Sequence, residues 1–191
     1  MNKYKVAISD TDILINLAKI NRLDILDLLF DEIIIPQFIY DVELPKNAKK
    51  LFGKINFKIL DDSSIFKVVD RRKNFTINML AESVIKDKYN YIGRGESECA
   101  GYASATGTNI IVSDNKSDFA WLEDEYVMLT HNNLLAIGVY FKVLDMNEAE
   151  NIYNQINNIL SHPCTLYFSD IYSKSLSRFE RKGWNDILGI K

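Results

Sequence analysis

Short apolar runs alternate along this chain with longer segments of helical periodicity. Tyr4–Ser9 reads as a β-rich run, and Asp10-Thr11 behind it is a helix start signal. Two short helices are expected over 12–20 and 22–30, broken at Asn21-Arg22. Leu14, Leu17 and Ala18 share one face of the first, and Leu26, Leu29 and Phe30 one face of the second. Ile33-Ile34-Ile35 is continuously apolar, as strands of a parallel sheet often are. Pro36 stands where a first helical residue would, opening a helix through about residue 44. Further strands are expected at 57–60, 65–69, 109–113 and 126–129. Helices are expected at 77–88, 95–106 (stopped by Gly107), 115–123, 134–141, 147–160 and 170–182.

Strands alternating with helices predict an α/β fold on a mainly parallel sheet. The 191 residues fit one domain. Its core would be 1–44 and 93–140, with an inserted α/β segment at 45–92 and a helical extension at 141–191. No apolar run approaches the roughly 18–20 residues of a membrane span, and the N-terminus lacks a signal-peptide pattern. A cytoplasmic protein with reduced cysteines is therefore expected, Cys99 packing among small apolar residues.

Net charge is −3, but its distribution changes the picture. Residues 46–94 carry twelve Lys/Arg against five Asp/Glu, a balance of +7; residues 95–150 carry two Lys against ten Asp/Glu, a balance of −8. A basic segment apart from an acidic one suits a metal site beside a phosphate-tracking surface, although Lys-rich loops also serve solubility alone. Arg71-Arg72-Lys73 is the densest basic cluster. It is either a contact for nucleic-acid backbone or a solvated turn.

Four apolar runs end in carboxylates: at Asp10, at Asp41 and Glu43, at Glu96 and Glu98, and at Asp114. Acids at strand exits and helix starts can converge on one edge of a parallel sheet, where a divalent cation would relieve their repulsion. Each also has a plainer reading as a helix cap or first-turn acid. Asp41 and Glu43 lie two residues apart, so a helix would turn one of them away; Glu43 is favoured and Asp41 stays open. The row Glu96, Cys99, Ala100, Ala103 and Gly107 would turn Glu96 toward the sheet. Asp118, four residues after Asp114, would share its side of a helix. No phosphate loop, serine-nucleophile motif or histidine spacing for zinc occurs.

The four stretches, in this order, resemble the PIN-domain nucleases: Ile8-Ser9-Asp10-Thr11, residues 33–44, residues 95–105 and residues 110–119. The resemblance implies a three-layer α/β/α fold and a metal-dependent ribonuclease, in many members the toxin of a pair with a small antitoxin protein. It implies Mg²⁺ or Mn²⁺ held by Asp10, Glu43, Glu96 and Asp114, with Glu98 and Asp118 as an outer set. Thr11 and Ser113 would orient these acids or a water. RNA would lie on Arg71, Arg72, Lys73, Arg94 and Lys116, and a homodimer is compatible. Two other readings remain open. One is a non-catalytic binding module on a PIN-like scaffold. The other is a haloacid-dehalogenase-type phosphatase using Asp10 of the Asp10-Thr11-Asp12 sequence.

Overall fold

The computed structural model describes residues 3–50, 60, 63–69 and 73–191, with backbone alone at 48–50 and 119. Residues 57–59 of the expected strand at 57–60, Arg71 and Arg72 lie outside the described residues; Leu60, which is described, is helical. The chain divides into two compact units, one ending at Thr130 and one beginning at His131.

The first unit is built on five parallel strands: β1 (Tyr4–Ser9), β2 (Phe30–Pro36), β3 (Phe66–Val69), β4 (Ile110–Val112) and β5 (Val127–Leu129), in spatial order β3-β2-β1-β4-β5. Ala7, Ile8, Ile33, Ile35, Val112 and Leu129 are fully buried, which explains strands that are apolar throughout rather than alternating. Helices α1 (Thr11–Lys19) and α2 (Asp24–Leu29) carry the chain from β1 to β2, and α3 (Leu44–Lys50) follows β2. Helices α4 (Phe75–Lys88) and α5 (Arg94–Thr106) carry it from β3 back across to β4. The chain thus winds outward one way from β1 and then returns past it. Right-handed crossovers place helices of opposite winding on opposite faces of the sheet, giving the three-layer α/β/α fold.

Three local expectations are corrected. Pro36 does not open a helix; it is the last residue of β2, in register with Val69, where the ladder ends and its missing amide is tolerated. The following turn is not α-helical: Ile39–Glu43 is a π-helix, closed by the Leu44 amide donating to the Ile39 carbonyl. Pro45 has no amide hydrogen, and its ring would clash with the carbonyl of Asp41 four residues back in an α-helix. No helix spans 115–123; a single 3₁₀ turn, Phe119–Trp121, stands there, so Asp114 and Asp118 do not share a helix face.

The second unit consists of α6 (His131–Tyr140), α7 (Met146–Ile159), α8 (Phe168–Arg181) and α9 (Asn185–Leu188). Asp145 caps α7 by accepting from the Glu148 amide at 2.7 Å, and Ile152, Tyr153, Ile156, Phe168 and Phe179 are buried. Arg178 on α8 donates to Asn133 on α6 at 2.9 Å. Among the described residues no helix is long and apolar enough to cross a membrane.

Candidate functional site

β1 and β4 are neighbours from which the chain departs in opposite directions, so a crevice opens beyond their carboxyl ends. Their register, Ile8 with Ile111 and Ser9 with Val112, brings the next residues, Asp10 and Ser113, side by side. The Asp10 amide donates to the Val112 carbonyl at 3.0 Å, and Ser113 Oγ donates to Asp10 Oδ2 at 3.0 Å. The other Asp10 oxygen accepts from the Thr11 amide at 2.7 Å, so the carboxylate also caps α1. Capping and a place at the sheet edge coexist in one side chain.

Asp10, Thr11, Asp12, Glu43, Lys46, Asn47 and Glu96 line one open cleft of about 210 Å³. Glu43 is half-buried there and accepts from Thr11 Oγ1 at 2.6 Å, whereas Asp41 is exposed. Gly95 lets Glu43 approach: a Cβ at Gly95 would stand 2.7 Å from Glu43 Oε2. That places Glu43 beside the first turn of α5, where free amides and the helix dipole favour an anion. Glu96, one residue on, accepts a short hydrogen bond from Asn115 Nδ2. Asn115 also approaches Asp118 at 3.4 Å, and Asp118 accepts from the Gly93 amide at 3.1 Å.

The electrostatics link these groups. Burial, and then the charge of Glu96, raise the Asp10 carboxyl well above the ordinary range, against the opposing hydrogen bonds from Thr11 and Ser113. Burial raises Glu96 as well; Asn115 opposes this, and the charges of Asp118 and Glu43 add to it. Asp12 is raised by burial and by Asp114. Glu96 is thus the acid through which the charges of Asp10, Glu43 and Asp118 meet, while Asp114 faces Asp12 and accepts from Asn16 at 3.0 Å.

Other expected residues lie elsewhere. Glu98 is fully buried, 3.6 Å from Arg94 Nε, in a second recess shared with α4 and not in the Asp10 cleft. Arg94 stacks its guanidinium 4.4 Å from the Phe38 ring centroid. Lys73 and Lys116 are exposed. Reading along the chain missed Asp12, Lys46 and Asn47 in the cleft, and it missed Asn16 and Asn115 as the amides that fasten Asp114 and Glu96. Asp12 was in sight within Asp10-Thr11-Asp12. Asn115 and Asn16 carried no signal, because their partners are remote in sequence.

Oxygen alone supplies the donors here; Cys99 is buried with its thiol pushed well up, chiefly by burial. Such a set suits a hard divalent cation rather than zinc. Among the described residues no three Asp, Glu, His or Cys side chains already form an ion-holding group; Asp10, Glu43 and Glu96 are instead held by hydrogen-bond donors of the protein. No curated protein matches the chain. A model of the family described as the PIN domain matches residues 6–162, from within β1 to just past α7, and its span includes every acid of the cleft. The chain belongs to the PIN-domain family.

Proposed function

We propose that the protein is a cytoplasmic, metal-dependent endoribonuclease whose reaction centre is the cleft between β1, β4 and the start of α5. The observation that carries this reading is the convergence of Asp10, Glu43 and Glu96, from three distant segments, on one cleft where two of the carboxyls are pushed toward protonation. Folding has crowded like charges at the edge of the sheet, an arrangement that a bound cation relieves. Asp10, Glu43 and Glu96 would hold Mg²⁺ or Mn²⁺, with Asp114 and Asp118 at the margins of the set. The ion, when bound, supplies an acidified water as nucleophile and neutralises charge on the phosphate.

The chain's own residues do the positioning. Ser113 and the Thr11 amide fix both oxygens of Asp10, and Thr11 Oγ1 fixes Glu43. Asn115 ties Glu96 to the Asp118 loop, so the acids are aimed before any ligand arrives. Lys46, one helical turn beyond Glu43, offers the cleft a cation for a phosphate oxygen. Glu98 is left to its ion pair with Arg94. The dehalogenase-type phosphatase reading loses its support with membership of the PIN-domain family.

The test measures Mn²⁺ binding by calorimetry and cleavage of a labelled RNA by the same preparations. Asp10→Asn and Glu96→Gln are expected to weaken Mn²⁺ binding and to lower cleavage by about 10²–10³-fold or more. Asp41→Asn is expected to change neither. Undiminished cleavage by Asp10→Asn would overturn the proposal. Mn²⁺ binding that ignores all three substitutions would leave a binding module in its place.

A further inference from the structure

Two loops are tied together beside the cleft. The first leaves α4 and runs through Tyr91 and Ile92 to Gly93; the second leaves β4 and runs past Asp118 to Trp121. Asp118 Oδ2 accepts the Gly93 amide at 3.1 Å, and Asn115 Nδ2 reaches both Asp118 and Glu96. A Cβ at Gly93 would collide with Glu96 Oε2, so this tie lies against an acid of the cleft. Beyond the rings in both loops, Lys88 forms an ion pair with Glu125. Between the two ties the Tyr91 and Trp121 rings stack, with centroids 5.0 Å apart and planes 21° from parallel. Tyr91 nevertheless stays 58 % exposed and Trp121 52 %.

A hydrogen bond and an ion pair already hold the loops, so fastening them does not account for a tryptophan left half in water. Position selects the occupant. Tyr91 lies two residues from Gly93 and Trp121 three from Asp118, so at most roughly 11 Å of chain separates either ring's backbone from the tie at the acid. Neighbouring nucleotides of one strand cover such a span, and every nucleobase offers a flat π-face to an aromatic ring. Charge sets the side on which the strand continues. Arg94 and Lys116, next to Gly93 and Asp118 in the chain, suit its phosphates, whereas Glu123 and Asp124 follow Trp121 and repel them. We propose that Tyr91 and Trp121 form a platform on which one base of the RNA stacks while a neighbouring phosphate occupies the acid cleft. That base must be unpaired and unstacked, because a base inside a helix has both faces covered. The platform thus makes these two side chains determinants of where the strand is held, and it rests on the ribonuclease reading.

Fluorescence and affinity test it, on the full chain carrying Asp10→Asn and with a short unstructured RNA at low salt. The chain has two tryptophans and Trp184 is 5 % exposed, so quenching by RNA reports on Trp121. Quenching is expected, and it is expected to vanish with Trp121→Phe, which keeps a ring and most of the affinity. Trp121→Ala and Tyr91→Ala are each expected to weaken binding about tenfold. One abasic nucleotide is expected to cost the intact platform the same factor, at a single position of the RNA. At that position it is expected to cost nothing further once Trp121 is alanine. A role confined to holding the loops would not make the two losses overlap. RNA that binds without quenching, or losses that simply add, would overturn the platform and leave the ribonuclease reading standing. Absence of RNA binding altogether would overturn both.

Discussion

Asp10 is the residue at which the opposing forces in the cleft are balanced. Burial and the charge of Glu96 favour its neutral form, while the Thr11 amide and the Ser113 hydroxyl favour its anion. The first two prevail, so the folded carboxyl binds its proton more tightly than the unfolded one. Stability without metal is then greatest below the ordinary carboxylate range, about pH 4, and this contribution is lost as pH rises through the raised folded value. Asp10→Asn removes the charge and keeps the shape. Its gain in melting temperature over wild type, measured in chelator, is expected to be larger at pH 8 than at pH 5. An equal gain at both values would mean that the charge is not what strains the site. Gly95 sets a second residue-scale test. Gly95→Ala drives a methyl to within 2.7 Å of a Glu43 oxygen, and that carboxylate, at the end of a flexible chain, yields more readily than the helix. Stability is expected to hold or rise slightly, because alanine is the better helix former, while cleavage falls with Glu43 displaced. A variant with unchanged turnover would remove Glu43 from the proposed set.

Elements were more legible in the sequence than the contacts between them. Tyr4–Ser9, the helix stopped by Gly107 and the strand ending at Val112 were readable because each is signalled locally, by β-rich composition, a left-handed glycine cap or an apolar run. The π-helix at Ile39–Glu43 was not readable: its apolar and polar positions fit an α-helix, and only the Leu44-to-Ile39 hydrogen bond reveals the wider turn. Residues 115–123 failed for the opposite reason, since Asn115 and Ser117 spend their side chains on local turns that compete with helix formation. Packing of α4 on α5 was likewise invisible, although it gives Gly101 a reason. A Cβ at Gly101 would lie 2.4 Å from Ile85 Cγ1 and 2.8 Å from the Ala81 carbonyl oxygen. The carbonyl is backbone and cannot rotate aside. Gly101→Ala is therefore expected to destabilise the fold by about 1–3 kcal/mol through overpacking, outweighing the roughly 1 kcal/mol that helix propensity returns. Urea unfolding reads the sign directly, and a stabilised variant would refute the close crossing.

At the scale of the whole molecule, a chain of net charge −3 can bind a polyanion only if its charges are segregated. The sequence provides this, with +7 over 46–94 and −8 over 95–150. Four acids, Asp10, Asp12, Glu43 and Glu96, line the cleft against the single Lys46, so under the proposed function basic residues outside it must supply the attraction for RNA when no cation is bound. Binding in that arrangement is driven by counterion release and weakens steeply with salt. Asp10→Asn protein, which under the proposed function is expected to bind RNA without cutting it, isolates this contribution. Replacing Arg71, Arg72 and Lys73 by alanine in that background is expected to flatten the plot of log affinity against log salt by roughly 0.7 per lost phosphate contact on single-stranded RNA. Replacing Lys174, Arg181 and Lys182 removes the same formal charge from the second unit and serves as the control. If both triple variants flatten the plot equally, RNA is responding to overall charge and the basic segment has no special place on its path. A loss confined to the first variant would assign the backbone track to the segment that precedes α4.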